Sequence, residues 1–371
     1  MPDDRTVLVT GGAGYIGCHV VLALQDAGRS VVVLDNLSTG RREALPAGIP
    51  LVVGDVRDAS LVRDLIQRWQ VAAILHFAAS IVVSDSVARP LAYYRNNTVA
   101  SHVLLEAAVA AGLDAFVFSS TAAVYGQPEA VPVAEDAPTR PLSPYGHSKL
   151  MAEQMLRDAG TAHRLRYAIL RYFNVAGADP AGRTGPDKPD ATHLIKVACE
   201  AALGRRPAVP VYGQDYPTRD GTCIRDFIHV SDLAAAHVAA LDHLLGHGDS
   251  LILNCGYGRG HSVREVLRSV ECVAGRRLRV EPAPRRSGDP AEVVADCGEL
   301  RRRLGWQPRY DQLDTMIADT LRWDERLASR ALTAVHAATG CSRRADGNGG
   351  NASATSMAAA PTANEARNIQ S

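Results

Sequence analysis

The chain has no excess of charge of either sign: 40 lysines and arginines balance 40 aspartates and glutamates. No broad field therefore points to nucleic acid or an anionic membrane as the main partner, although a nucleotide needs only a few local basic groups. Long apolar runs are also missing, and no window approaches the ~20 residues of a membrane-spanning helix. The opening residues, Met1-Pro2-Asp3-Asp4-Arg5, lead straight into a strand-like run without the basic and apolar segments of a secretory signal, so the expected location is the cytoplasm. Cysteine is scattered: the seven (18, 199, 223, 255, 272, 297 and 341) are odd in number and lack CxxC spacing. That speaks against a disulfide framework or a metal site and for small buried thiols in a reducing compartment.

What is present is apolar sequence in a repeating order. Hydrophobic residues make up 46% of the 371, enough for one large domain or two closely joined ones. Short β-branched runs at Thr6–Thr10, Val31–Asp35, 51–54, 73–77 and 115–119 read as strands buried on both faces. Helical stretches at 20–27, 59–69 and 97–111 lie between them, and strands at 167–170 and 251–254 extend the pattern. Strand and helix in alternation predict an α/β fold with a doubly wound parallel sheet, Rossmann-like, joined by right-handed crossovers.

From about residue 174 the composition changes. Residues 174–192 and 205–223 are rich in Gly, Pro, Asp and Thr, which suits loops over a ligand. The chain returns to the first part through a helix at Val230–Leu245 and leaves again for Val263–Ala274 and a strand at 279–282. The expected organisation is a dinucleotide-binding domain (1–173 plus about 230–256) and a smaller α/β substrate-binding lobe (about 174–229 plus 257–331), with a ligand cleft at their junction. Residues 332–371 are poor in bulky apolar side chains and read as a disordered tail.

The first chemical motif follows the first strand. In Gly11-Gly12-Ala13-Gly14-Tyr15-Ile16-Gly17, glycines at 11, 14 and 17 permit a tight turn, close approach to a pyrophosphate and tight helix packing. The next helix aims its free N–H groups at those phosphates. A glycine triplet alone is weak, but this one follows a strand, precedes a helix and lies 18 residues before Asp35 at the end of the second strand. Asp35 suits a ribose diol and repels a ribose phosphate, favouring NAD over NADP despite Arg41 and Arg42 nearby. Asp55, after the third strand, is placed to reach the adenine or simply to close a turn.

The second motif is Tyr145-Gly146-His147-Ser148-Lys149, whose tyrosine and lysine are four apart and share a helical face. A phenol is a poor base at its ordinary pKa near 10. A lysine cation beside it favours the phenolate, which can then take a proton from an alcohol as hydride leaves the carbon.

Together with TGGAGYIG (10–17), LDNLSTG (34–40), HFAAS (76–80), FSSTAAVYG (118–126), SPYGHSKL (143–150), LRYFNVAGA (170–178), YGQDYPTRDGTCIRDFIHVSDLA (212–234) and APRRSGDPAEVVAD (283–296), these motifs place the resemblance. The chain resembles the extended short-chain dehydrogenases/reductases, and among them the UDP-glucose 4-epimerase family, over residues 6 to about 325. The resemblance implies NAD as cofactor, a UDP-sugar as substrate, a homodimer through the helices at 97–111 and 148–159, and 4-epimerisation of UDP-glucose and UDP-galactose through a transient 4-keto sugar. It implies Tyr145 as the base at the sugar 4-hydroxyl, Lys149 as its partner and ribose ligand, and Thr121 as a hydroxyl on the same sugar oxygen. Cofactor-lining positions are Gly11, Gly14, Tyr15, Ile16, Gly17, Asp35, Asn36, Asp55, Val56, Phe77, Ala78, Asn96, Ser119, Tyr145, Lys149 and Phe173. Thr121, Tyr145, Asn174, Leu194, Tyr212, Arg225, Arg286 and Asp289 match substrate positions, with the two arginines nearest the diphosphate.

Departures from the family pattern are informative. Ile81 stands where some relatives carry a lysine near the pyrophosphate, which implies weaker NAD retention. Val293 stands where a bulky residue often limits space at the sugar 2-position, which implies room for an N-acetyl group. Ala122 and Ala123 follow Thr121, where dehydratases and decarboxylases of the superfamily place an acidic residue, and this argues against elimination. Epimerases of UDP-N-acetylglucosamine or a UDP-pentose remain open alternatives, and a non-enzymatic NAD-binding scaffold is disfavoured by the intact Tyr145, Lys149 and Thr121.

Overall fold

The computed structural model describes residues 6–188, 191–286 and 288–345. Contacts gather the chain through Arg326 into one unit and Leu327 onward into a second, which contains the C-terminal part of the last helix.

Strand β1 (Thr6–Thr10) feeds helix α1 (Tyr15–Asp26), and β2 (Val31–Asp35) is followed by β3 (Leu51–Val53), α2 (Ala59–Arg68) and β4 (Val71–His76). Short helices α3 (Val83–Ala88) and α4 (Pro90–Tyr93) continue through a π-helical stretch, Tyr94–Val99, into α5 (Ala100–Ala110) and β5 (Ala115–Thr121). Helix α6 (Pro144–Ala162) precedes β6 (Arg166–Tyr172). Next come β7 (Asn174–Ala176), α7 (Leu194–Ala202), β8 (Val209–Tyr212) and β9 (Ile224–His229), with a return through α8 (Val230–Leu245) and β10 (Leu251–Cys255). The remainder is β11 (Gly260–Ser262), α9 (Val263–Ala274), β12 (Val280–Ala283), β13 (Glu292–Val293), α10 (Gly298–Leu304) and α11 (Leu313–Ala345).

Seven parallel strands form the main sheet in the order β10-β6-β5-β4-β1-β2-β3, the Rossmann-like α/β fold that the alternating pattern predicts. Alternation along each strand divides the core. Val7 and Val9 of β1 face Val20, Val21 and Leu24 of α1 and Leu233 and Leu241 of α8, whereas Leu8 faces Val62 of α2, Leu104 of α5 and Leu156 of α6. The strand order reverses between β1 and β4, and in such sheets the crevice outside the C-terminal ends at that point receives the ligand. The smaller sheets, β11-β9-β13 with β7 on β9 and β12-β8, all come from residues 174–293.

Three expectations need correction. Helix α1 starts at Tyr15, not at residue 20, because the extended Gly14 is its N-cap and the glycine motif itself forms the first turn. The helix expected at 97–111 opens with π-helical backbone at Tyr94–Val99. Residues 332–345, read as tail, continue α11; their alanine content gives high helix propensity even with little to bury. Residues 346–371 lie outside the described residues.

Within the first unit α11 is anchored by charge. The Lys196 ammonium of α7 is buried against the Asp324 carboxylate of α11 and lies 3.3 Å from Glu200. Trp323 donates its indole N–H to the Pro186 carbonyl at 3.2 Å.

Candidate active site

The glycine turn sits at the switch point with no room to spare. Gly11 has φ +70, and a Cβ on it would lie 2.5 Å from the Ala78 backbone nitrogen. A Cβ on Gly17 would lie 2.3 Å from the Gly11 carbonyl oxygen. The bare backbone N–H groups at the start of α1, which has no side-chain cap, therefore face the crevice as an anion cradle. Asp35 closes the turn from β2: one carboxylate oxygen accepts the Ala13 N–H at 3.0 Å and the other the Leu37 N–H at 2.8 Å. Arg41 pairs with Asp187 at 3.1 Å, so its charge is drawn to a different carboxylate. Asp55 is a fork partner of Arg57, at 2.9 and 2.6 Å, and that guanidinium holds its carboxyl down at about 2. Asn36 stands beside it. Tyr15 donates its hydroxyl to the Gly177 carbonyl at 2.7 Å, tying α1 to the segment after β7.

At the end of β5, two strands from β1, the catalytic candidates converge. Ser143 caps α6 by accepting the Gly146 N–H at 3.2 Å, and Pro144 fills the first helical position. Tyr145 is thereby fixed in the first turn, with Lys149 one turn on. Lys149 donates to the Ser119 carbonyl at 2.9 Å and lies 4.8 Å over the Phe118 ring. Burial pushes its ammonium down to about 8, against the opposing pull of the Glu153 carboxylate. Thr121 accepts the Ala123 N–H at 3.1 Å and hydrogen-bonds Tyr145. The Tyr145 phenol is pushed up to about 12 by burial, with the Thr121 contact pulling the other way. The lysine was expected to lower this phenol, but the Thr121 contact is the group that does so, and desolvation outweighs it.

Surrounding groups hold the arrangement. The Ser119 hydroxyl lies 2.7 Å from the Tyr172 hydroxyl, so its side chain is engaged with β6 while its carbonyl serves Lys149. Phe77 packs on His237 of α8 with ring centroids 4.8 Å apart. Asn96 donates to the Ser80 hydroxyl at 3.0 Å. Its neighbour Asn97 does more: it accepts the Ser80 N–H at 2.8 Å and donates to the Ser80 carbonyl and the Ser148 hydroxyl at 3.0 and 2.9 Å. Asn97 thus ties the loop after β4 to α6, and the π-helical turn is the local irregularity that presents it. Sequence reading passed over Asn97, as it did His76, which is buried between Thr10 at 2.7 Å and Ser101 at 3.0 Å. Burial, with the Lys149 charge adding to it, pushes His76 down to about 3, so it stands neutral beside the lysine. Ile81 is 48% exposed just past Ser80.

The substrate candidates gather in three groups. Asn174 and Leu194 line one pocket with Tyr15, Gly177 and Phe227. Arg286 lies 3.8 Å over the Tyr212 ring, and its guanidinium has no acceptor among the described residues. Arg225 is ion-paired with Asp289 and also donates to the carbonyls of Ile224 and Pro290 at 2.8 and 2.7 Å. Val293 belongs to a small apolar cluster with Val124, Tyr125, Val133 and Phe173, which sets it beside the end of β6. Among the described residues no group of His, Cys, Asp or Glu could hold a metal ion, and no helix is long and apolar enough to cross a membrane.

Comparison with known proteins follows the same lines. The model of the NAD dependent epimerase/dehydratase family matches residues 7–256. A UDP-glucose 4-epimerase of Azospirillum brasilense is 61% identical over 321 residues, which are 86% of this chain and 92% of that protein. The crystal structure of a UDP-glucose-4-epimerase from Stenotrophomonas maltophila, with bound NAD and formylated UDP-arabinopyranose, is similar with TM-score 0.84 at 42% identity, covering 88% of this chain and 99% of that one. A UDP-glucose 4-epimerase from Brucella ovis in complex with NAD has TM-score 0.83 at 44% identity, covering 86% and 98%.

Proposed function

The chain belongs to the NAD dependent epimerase/dehydratase family, and from that premise we propose that it interconverts UDP-glucose and UDP-galactose by epimerisation at the sugar C4. The observation that carries this reading is the convergence of Thr121, Tyr145 and Lys149 at the end of β5, two strands from the glycine turn. The tight turn at Gly11 and Gly17 and the N-terminus of α1, which has no side-chain cap, fit the pyrophosphate of a dinucleotide. NAD, when bound, supplies the hydride acceptor and donor at C4, so that a 4-keto sugar is the transient species. Asp35 takes the adenosine ribose diol, Lys149 the nicotinamide ribose, and Tyr15, Ile16, Asn36, Asp55, Val56, Phe77, Ala78, Asn96, Ser119 and Phe173 line the remainder.

Tyr145 accepts the O4 proton in the oxidative direction and returns it on the other face, and Thr121 holds the same oxygen. The positive charge of the oxidised cofactor, with the Lys149 ammonium beside it, brings down a phenol that burial holds near 12 against the Thr121 contact. Arg225 and Arg286 grip the diphosphate with Tyr212 and Asp289, while Asn174 and Leu194 border the nucleotide pocket; a firm hold there leaves the sugar free to turn over. Ala122 and Ala123 offer no acid beside Thr121, which favours epimerisation over elimination. Val293, small and close to Phe173, supports a second substrate, UDP-N-acetylglucosamine.

We retain the two-part organisation read from the sequence, because the main sheet draws on residues 6–172 and 251–255 and the small sheets on 174–293. A homodimer is supported by Val87, Leu91, Val99 and Met151, which lie 46–80% exposed on α3, α4, α6 and the π-helical stretch. Cys18, Cys199, Cys223, Cys255, Cys272 and Cys297 are free, in keeping with the cytoplasm. The deciding experiment incubates purified protein with UDP-galactose and resolves the products. UDP-glucose should form, and Tyr145→Phe should lower kcat about 10³-fold with NAD still bound; unchanged turnover would move the base to another residue.

A further inference from the structure

The side chain of Ser120 lies between the two β5 residues that serve the site, Ser119 and Thr121, and alternation turns it to the opposite face of the sheet. There its hydroxyl donates to Glu153 Oε1 at 2.5 Å. Glu153 is one turn beyond Lys149 on α6, so Tyr145, Lys149 and Glu153 form a single stripe. From β6, Arg171 closes on the same carboxylate with Nε at 3.0 Å from Oε1 and Nη2 at 2.6 Å from Oε2. Both side chains are almost fully buried, at 4% and 1% exposure. The remaining donors of Arg171 are also placed: Nη1 donates to the Tyr125 hydroxyl and the Glu135 carbonyl, both at 3.0 Å. Tyr125 in turn donates to Asn254 of β10 at 2.7 Å.

A buried ion pair of this kind contributes little net stability compared with apolar residues of the same volume. Its presence under the catalytic lysine therefore calls for a positional account. Resting on the assignment of Tyr145, Lys149 and Thr121 made above, we propose that Glu153, held by Ser120 and Arg171, is a positioning residue that registers α6 on the end of β5 and keeps the Lys149 ammonium charged in a dry site. Two strands and one helix meet at a single carboxylate, so a shift of α6 along β5 must break a charge-assisted hydrogen bond. The same carboxylate supplies the stabilising charge. Around Lys149 the titratable groups are Tyr145 and Glu153 on its own helix, neutral His76 on β4, Tyr172 and Arg171 on β6, and Tyr93 with the exposed Asp85–Arg89 pair at α3 and α4. The π-helical stretch presents Asn97 there, and β5 only hydroxyls and a carbonyl. Glu153 is the buried anion of this set.

The test measures kcat, KM and the pH dependence of turnover on NAD-loaded full-length protein with UDP-galactose. Ser120→Ala, which keeps both charges, should lower kcat about tenfold with KM and NAD content unchanged. Glu153→Gln removes the charge that holds the Lys149 proton, so the alkaline limb of the profile should move down by about one pH unit, and Glu153→Asp should restore it. If Glu153→Gln does not fold because Arg171 is left unpaired, the double variant E153M/R171M removes both charges and should show a smaller shift in the same direction, because the nearer Glu153 anion acts more strongly on Lys149 than the Arg171 cation that opposes it. Wild-type kcat in Ser120→Ala, or an unmoved alkaline limb in the folded charge variants, overturns the proposal. Turnover retained by Tyr145→Phe would instead overturn the base assignment on which it rests.

Discussion

A methyl group on Gly17 would sit 2.3 Å from the Gly11 carbonyl oxygen, whereas one on Gly14 would sit 3.3 Å from the same atom. The first distance cannot be relieved without moving the turn. Gly17→Ala should therefore give folded protein that loses NAD on gel filtration, and Gly14→Ala should keep most of it; equal retention in the two variants would show that the turn yields more than its packing implies. At this scale the sequence was most readable where chemistry restricts the residue type: the three glycines, Asp35, and the Tyr145–Lys149 spacing all occupy the positions their motifs suggest. Partners set by tertiary contact were not readable. Nothing local distinguishes Asn97 from Asn96, yet Asn97 makes three hydrogen bonds to Ser80 and Ser148. Nor does spacing tell that Arg225 rests on Asp289, 64 residues away. For Val293 the outcome is a change of specificity. Val293→Tyr should reduce kcat/KM for UDP-N-acetylglucosamine by tenfold or more, of the order expected when bulk fills a pocket, with UDP-galactose little affected. A wild-type protein that does not turn over the N-acetylated sugar would remove the premise.

Helix α6 carries the base in its first turn, so its N-terminal cap bears directly on chemistry. Ser143→Ala removes the acceptor for the Gly146 N–H, at a cost of about 1 kcal/mol, and should lower Tm by about 2 °C. It should also reduce kcat more than KM, because fraying displaces Tyr145; a Tm drop with unaltered kcat would mean that Thr121 alone holds the phenol. Elements buried on both faces were legible from their apolar runs, and β1, β2 and α8 match their expected limits. Those of the second lobe were legible only in part: α9 matches its expected limits and β12 lies within one residue of the strand expected at 279–282. Strands β7, β11 and β13 have three, three and two residues, too few for alternation to show. Strand β8 lies in a stretch whose Gly and Pro content reads as loop. The start of α1 was hidden for another reason: glycines that serve the phosphate turn are poor helix formers.

For the molecule as a whole, buried histidines set the acid limit. Burial pushes His19 and His237 down to about 4 and His76 to about 3. Their folded-state values lie below the ordinary one near 6.5, so as pH falls the unfolded chain takes up protons first. Stability is thus full above about pH 6.5 and is lost towards pH 4, by up to about 1.4 kcal/mol per pH unit for each histidine. A urea midpoint at pH 5 equal to that at pH 7 would contradict this. Assembly is a separate property: V99E/M151E should convert a dimer to a monomer by sedimentation equilibrium, and an unchanged mass would place the interface on another face. The βαβ pattern implied a parallel sheet with right-handed crossovers, but the strand order and the switch point came only with the structure. So did the limit of the first unit at Arg326, because composition stays ordinary to about residue 331. That limit has a bearing on where the chain can be cut. Among the described side chains, the Lys196–Asp324 pair makes position 324 the last one whose removal strands a buried charge, so a stop codon at 324 unbalances α7 by some 3–5 kcal/mol. Genetic tolerance to shortening should therefore end at a single carboxylate rather than at the point where the sequence turns simple.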